Sequence, residues 1–266
     1  MIIIGEKINS TIKSVKEAIE SSDDKLIKEL AVKQSEANAA YIDVNAGTFY
    51  DNEPFYLEWL VHSVQEAVST PLCIDSPNPK AISVALKANK NSKPIINSIT
   101  AEKERYKAIM PLAVEYNTGI VALCMDDNGM PETVEDRVKI AENLIKNLTF
   151  EGIALNDIYI DPMVRPIGTG SHYGKVVFDT IRTIKQEYKN VHITCGLSNI
   201  SYGLPYRHLL NQTFLVAAVA AGLDCAILDP LDKKLMSSLY AIEALLGTDD
   251  YCINYIEKFR DGELEL

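Results

Sequence analysis

ITCGLSNISYGLPYR, residues 193–207, opens as a short apolar run and breaks at Gly196 into a small polar segment, Ser198-Asn199, held between glycines and a proline. A helical pattern, RHLLNQTFLVAAVAAGL, follows at 207–223. An apolar strand that halts at a polar loop ahead of a helix is the βα unit of a parallel barrel or sheet. Such folds carry their chemistry where the strand stops. Asn199 is therefore the first candidate for a residue that touches a substrate. Ser198 and Asn199 are also the residue types that cap a following helix, and on this stretch alone both roles stay open.

Working outward, the same unit recurs. Seven further short apolar runs each give way to polar residues and then to a helical pattern: IIIGE (2–6), YIDVN (41–45), LCIDS (72–76), PIINS (94–98), IVALCMDD (120–127), IYIDP (158–162) and CAILDP (225–230). The segment 15–39 carries Val15, Ala18, Ile19, Leu26, Ile27, Leu30 and Ala31 at helical spacing, with SSDD at 21–24 reading as a break and a fresh N-cap. Helices are also expected over 56–68, 81–88, 108–116, 135–148, 176–188, 209–221 and 234–246. Eight strand–loop–helix units over 266 residues predict a (β/α)8 TIM barrel, one α/β domain spanning 1–266. An open doubly wound sheet is the alternative, but no Gly-x-Gly-x-x-Gly turn follows the first strand. The acidic tail DGELEL is expected to fray.

Composition narrows the class. The chain is 47% apolar and 24% charged, with a formal charge of −11 and no dense basic cluster, so nucleic acid and anionic membranes are poor partners. No run approaches the ~20 apolar residues of a membrane span, and the start MIIIGEKIN lacks the marks of a signal peptide. Five scattered cysteines without a Cys-x-x-Cys pair fit free thiols in a reducing cytoplasm. The four histidines have no metal-ligand spacing, and no metal is expected.

The runs share one regularity. Each ends in a carboxylate or an amide: Glu6, Asp43 with Asn45, Asp75, Asn97, Asp126, Asp161, Asn199 and Asp229. In a barrel all eight strand ends face one mouth. Any single one of these could be a turn or cap residue; together they predict a concave site ringed by acids and amides, with no lysine, arginine or histidine in the ring. Such a ring suits a neutral heterocycle rich in N–H donors, or a divalent cation.

The pieces IGEKIN, DVNAG at 43–47, LCIDS, NSITAE at 97–102, YIDP at 159–162, GLSN at 196–199, Arg207 with NQTFL at 211–215, and AILDP together resemble the methyltetrahydrofolate:corrinoid methyltransferases. These are pterin-binding barrels of acetogens and related anaerobes, akin to the folate domain of cobalamin-dependent methionine synthase and more distantly to dihydropteroate synthase. The resemblance runs from the first strand to about residue 256. It implies a barrel, usually homodimeric, that binds 5-methyltetrahydrofolate at its mouth and exchanges the methyl group with a cobalamin or other corrinoid on a separate protein. By that resemblance Asp75, Asn97 and Asp161 hold the pterin ring, Asn199 reaches the ring nitrogen that bears the methyl group, and Gly196, Ser198 and Arg207 neighbour it. Glu6, Asp43, Asn45, Asp126 and Tyr202 are expected behind them. Tyr202 stands where the family carries an amide, which leaves that polar contact open. The residue chemistry agrees: a buried carboxylate accepts the paired N–H groups of a 2-amino-4-oxo-pyrimidine, and an amide donates and accepts together. Gly196 is expected to let the backbone approach the ring.

Methyl leaves a tertiary amine nitrogen, which needs a proton or hydrogen bond as charge builds on it. Asn199 can donate a hydrogen bond there but holds no proton to give. Asp161 and Asp43 could relay one only if burial raises them above their usual range. Three rival readings are weaker. A dihydropteroate synthase would need Arg-Pro-Gly after the second strand and basic residues near the eighth, where the chain reads NAGTFYDNEP and LDKK. A folate-binding subunit without activity has no use for the GLSN loop. A cation-dependent, aldolase-like barrel lacks a lysine or histidine at the strand ends.

Overall fold

The computed structural model describes residues 1–265. All eight expected strands form: β1 (Ile2–Asn9), β2 (Tyr41–Asn45), β3 (Leu72–Asp75), β4 (Ile95–Thr100), β5 (Gly119–Leu123), β6 (Ile158–Asp161), β7 (His192–Ile193) and β8 (Cys225–Leu228). They lie parallel in the order β7-β6-β5-β4-β3-β2-β1-β8. The barrel closes between β7 and β8 through a single parallel bridge, Gly196 to Ile227, with the Ile227 N–H donating to Cys195 O at 2.9 Å. The fold is a (β/α)8 TIM barrel.

Both faces of these strands are buried, which is why they read as unbroken apolar runs. One set of alternate residues, including Ile42, Val44, Ile74, Ile96, Ile120 and Ile160, packs outward against the helices. The other set fills the barrel with Ile4, Cys73, Ile95, Val121, Tyr159 and Cys225. Two residues further along most strands, that inward set turns polar: Glu6, Asp75, Asn97 and Asp161. Alternation of period two thus carries the apolar filling up to one level and an acid-and-amide level above it.

The helices follow the expected pattern, with ends extended by up to five residues: α1 (Lys13–Ser21), α2 (Asp24–Glu36), α3 (Glu53–Ala67), α4 (Pro79–Ala88), α5 (Lys103–Glu115), α6 (Val134–Phe150), α7 (Tyr173–Glu187), α8 (Arg207–Ala221), α9 (Lys233–Leu245) and α10 (Ile253–Arg260). The break at 21–24 is real: Asp23 caps α2, its side chain accepting from Lys25 N–H. The last helix, α10, is not signalled by the sequence patterning. The tail differs from the expectation of fraying through Glu265, whose N–H donates to Ser237 Oγ at 2.8 Å; Leu266 lies outside the described residues.

β7 is shorter than its apolar run. The Ile193 N–H goes to the Asp224 carboxylate (2.7 Å) rather than to a strand neighbour, and 197–201 curls into a 3-10 turn. α8 starts six residues beyond that turn, behind Tyr206, with no side-chain cap. Ser198 and Asn199 therefore do not cap α8. They occupy a turn of their own at the barrel mouth.

Candidate active site

A cavity of about 530 Å³ opens at the C-terminal mouth. Glu6, Asp43, Asp75, Asn97, Asp161, Gly196, Ser198, Asn199 and Arg207 line it, joined by Lys7, Asn9, Thr11, Ile12 and Ile227. Strands β1, β2, β3, β4 and β6 supply the acids and Asn97, and the turn after β7 supplies Asn199.

Hydrogen bonds fix Asp75, Asp161 and the turn that carries Asn199. Asn45 Nδ2 donates to Asp75 (2.8 Å), while Asn45 Oδ1 accepts from Gly47 N–H (3.0 Å) and Ser10 Oγ (3.1 Å). Asp161 accepts the Met163 N–H at 2.7 Å. Three arginines brace the loops immediately after the lining residues. Arg105 donates to Ser76 O (3.2 Å), Pro77 O (2.7 Å) and Ser98 O (2.6 Å), so one guanidinium ties the segment behind Asp75 to the segment behind Asn97. Arg137 donates to Pro162 O (2.6 Å) and Met163 O (2.9 Å), behind Asp161. Arg207 donates to Ser198 O (2.8 Å) and Ser201 Oγ (3.0 Å), either side of Asn199. Each sits in the first turns of the helix that follows a loop at the mouth.

Gly196 has ordinary backbone angles (φ −70°, ψ 99°), so its lack of a side chain serves space rather than conformation. A Cβ there would stand 3.0 Å from Asn199 Nδ2. The room expected for a ligand's approach is thus occupied at its edge by the Asn199 amide itself.

Carboxyls this close together and this buried resist ionisation. Burial lifts Glu6 to about 7, with Asp229 adding and Lys7 and Arg207 opposing. Burial, then the charge of Asp75, pushes Asp43 well above the usual carboxylate range; its Oδ1 is buried without a partner. Burial raises Asp75 to about 6 against the Asn45 hydrogen bond, and Asp161 to about 6 against the Met163 N–H and Arg137. Near neutrality the mouth therefore holds fewer negative charges than its four acids suggest. What it offers is a mixture of carboxyls that hold their protons more readily than usual and amides, a set that matches a neutral ring bearing several N–H groups.

Residues 5–229 match the family model described as pterin binding enzyme. The chain belongs to that family. Among relatives of this pterin-binding protein, a methylcorrinoid:tetrahydrofolate methyltransferase of Eubacterium limosum is 40% identical over 99% of this chain and 98% of its own length. The methionine synthase of Mycobacterium leprae is 30% identical over 85% of this chain, a match to 20% of that longer protein. Among solved structures, the 7,8-dihydropteroate synthase of Vibrio fischeri ES114 aligns with a TM-score of 0.71 over 92% of each chain at 17% identity, a likeness of fold.

Not every residue of the sequence-derived ring reaches the cavity of this pterin-binding barrel. Asp126 closes a turn with Gly129 and lines a separate groove between α5 and α6. Asp229 turns to Lys7 Nζ (2.9 Å). Tyr202 is 69% exposed on the rim, its ring 6.0 Å from the Arg207 guanidinium. Asn45 stands behind Asp75. The expectation of a ring free of lysine and arginine is corrected by Lys7, which lines the mouth. Strand alternation hid it. The β1–β2 register shifts between Gly5 and Ile8, and the irregularity brings Glu6 and Lys7 to the cavity side by side. Arg105 and Arg137 were also missed; a guanidinium bonded to backbone carbonyls leaves no mark in a sequence.

Proposed function

We propose that this protein transfers a methyl group between the N5 nitrogen of 5-methyltetrahydrofolate and the cobalt of a corrinoid carried on a separate protein. The observation that carries the reading is the convergence of Asp75, Asn97 and Asp161 on one cavity with Asn199 on its wall. Asp75 and Asp161 accept N–H groups of the pyrimidine, and Asn97 pairs with the ring as donor and acceptor. Ser198 and Gly196 flank the ring edge, and Arg207 holds their turn. Asn199 donates a hydrogen bond to N5, offsetting the charge that builds there as the carbon–nitrogen bond breaks. The corrinoid supplies a cobalt centre that gives up or accepts the methyl group. Burial brings the Glu6 carboxyl up to about 7, which makes it a proton source near neutrality, and raises Asp43 in the same direction. One transition state serves both directions. The full-length likeness to a methylcorrinoid:tetrahydrofolate methyltransferase supports delivery of methyl groups to tetrahydrofolate; in that direction a separate demethylase loads the corrinoid.

The corrinoid protein docks over the open mouth, where Tyr50, Tyr202 and Tyr206 stand exposed on the segments after β2 and β7 and Phe55 on the first turn of α3. The chain works as a cytoplasmic homodimer of an anaerobe. Five free cysteines, four of them buried, support a reducing compartment, and no helix among the described residues is long and apolar enough to cross a membrane. Ile253, Ile256 and Phe259, exposed at three-residue spacing on α10, support self-association. Light scattering that returns the mass of a single chain would remove the dimer from the proposal.

A single-turnover reaction of free Co(I) cobalamin with methyltetrahydrofolate, followed by corrinoid absorbance, tests the chemistry. Methylcobalamin is the expected product. No reaction, either with free cobalamin or with a corrinoid protein, would overturn the reading.

A further inference from the structure

Arg137 is the largest side chain fully buried in this protein, at 0% exposure, and no carboxylate among the described residues forms an ion pair with it. Its Nη1 bonds the carbonyls of Pro162 and Met163; its Nε and Nη2 are buried with no partner. A desolvated guanidinium held mainly by backbone carbonyls is a costly way to brace a loop, since neutral donors would do the same. The position of the loop supplies the reason. Pro162 and Met163 directly follow Asp161, and Met163, in the left-handed region at φ 65°, turns its N–H onto Asp161 Oδ1. The cation thus holds the loop whose N–H binds the carboxylate, and neither Arg137 nor Met163 lines the cavity.

We propose that Arg137 is a positioning residue for substrate binding: it fixes the Pro162–Met163 loop and supplies the buried positive charge that keeps Asp161 an ionised acceptor aimed into the cavity. The inference rests on the reading that Asp161 receives the N–H groups of a pterin. The other groups around Asp161 leave this task to Arg137. The thiols of Cys124, after β5, and Cys195, after β7, both face it, and burial pushes each far above its ordinary range, so they stay neutral. Cys225 on β8 is pushed up to about 12 by burial and is neutral as well. Arg165 lies beyond Arg137, engaged with Glu132. Burial raises Asp161, and the Met163 N–H and Arg137 are what oppose it. Arg105 stands in a parallel relation to Asp75, with its guanidinium on the carbonyls that follow, which makes the arrangement a repeated device of this mouth.

Tetrahydrofolate affinity, measured by calorimetry from pH 5.5 to 9, separates a charge role from a bracing role. In the unaltered protein affinity falls as pH drops below about 6, where Asp161 and Asp75 take up protons. In Arg137→Met the Asp161 part of that fall moves to higher pH by about one unit, so binding weakens by roughly fivefold at pH 6 and roughly twofold at pH 7, and recovers by pH 9. Arg137→Lys keeps the original midpoint, and Asp161→Asn loses the part of the fall that Asp161 contributes while that of Asp75 remains. Equal weakening of Arg137→Met at every pH would mean that the arginine only braces the loop, and would overturn the proposal, as would no weakening at all. Should Arg137→Met not fold, Arg137→Lys decides: a midpoint shifted as far as a lost charge predicts would overturn it. Failure of the unaltered protein to bind tetrahydrofolate overturns both this inference and the pterin reading. Binding without methyl transfer overturns only the proposed reaction.

Discussion

Gly196 and Asn199 work as a pair. The glycine leaves the space in which the amide lies, and its backbone angles would accept any residue. Gly196→Ala should therefore leave the fold intact while its Cβ, placed 3.0 Å from Nδ2, forces the amide aside. Asn199→Ala removes the amide outright. In single-turnover methyl transfer both variants should lose rate, Asn199→Ala by about 10²-fold, the usual effect of deleting one donor to a developing charge. Tetrahydrofolate affinity should stay within about threefold in each, because Asp75, Asn97 and Asp161 are untouched. An Asn199→Ala enzyme with the original rate would take the amide out of the chemistry. Asn199 was legible in the sequence because it sits where an apolar run stops. What Gly196 makes room for was not, since the turn of 197–201 folds the amide back over the glycine.

At the scale of elements, the first strand decides who enters the mouth. A regular β1 would turn Lys7 toward the helices, leaving Glu6 alone inside. The register shift after Gly5 leaves the Lys7 N–H without a strand partner, and Gln34, fully buried on α2, accepts it at 3.0 Å. Gly5 is needed there because a Cβ would lie 2.4 Å from Gln34 Oε1. Gln34→Ala leaves a part-buried N–H unpaired, and urea unfolding should show a loss of about 1 kcal/mol. An unchanged midpoint would mean that water or a relaxed β1 takes over the bond. Sequence patterning located β1 and α2 but gave Gln34 no role: a polar residue on a helix reads as exposed, whereas here a glycine opposite makes room for it.

For the molecule as a whole, the site is held at a cost to stability. Asp161 titrates near pH 4 when unfolded and near 6 when folded. Below the lower value both states hold the proton and there is no penalty. As pH rises through 6 the folded state must ionise a buried carboxyl that the unfolded chain ionises freely, so stability falls with rising pH. Asp161→Asn keeps the Met163 N–H bond and avoids that penalty. Thermal unfolding should show it more stable than the original at pH 8, by on the order of 2 kcal/mol and several degrees in Tm, with the gap closing toward pH 4. A gap that does not change with pH would assign the effect to packing. The same variant should bind pterin poorly, a trade of stability against function.

By itself the sequence determined the repeat of eight strand–loop–helix units, the helix break at 21–24, and the acids and amides at the strand ends. These are local matters of periodicity, capping and residue type, and the chain writes them in order. Only the tertiary structure decided which strand-end groups share the cavity. Asp126 leaves by closing its own turn, Asp229 is drawn to Lys7, and Lys7 arrives through a bulge patched by a glutamine from another element. It also decided the charge of the mouth, because burial raises four acids that the sequence presents as ordinary, with neighbouring carboxyls adding to three of them. Register and dielectric depend on what packs alongside, and residues far apart in the chain supply that only once the barrel has closed.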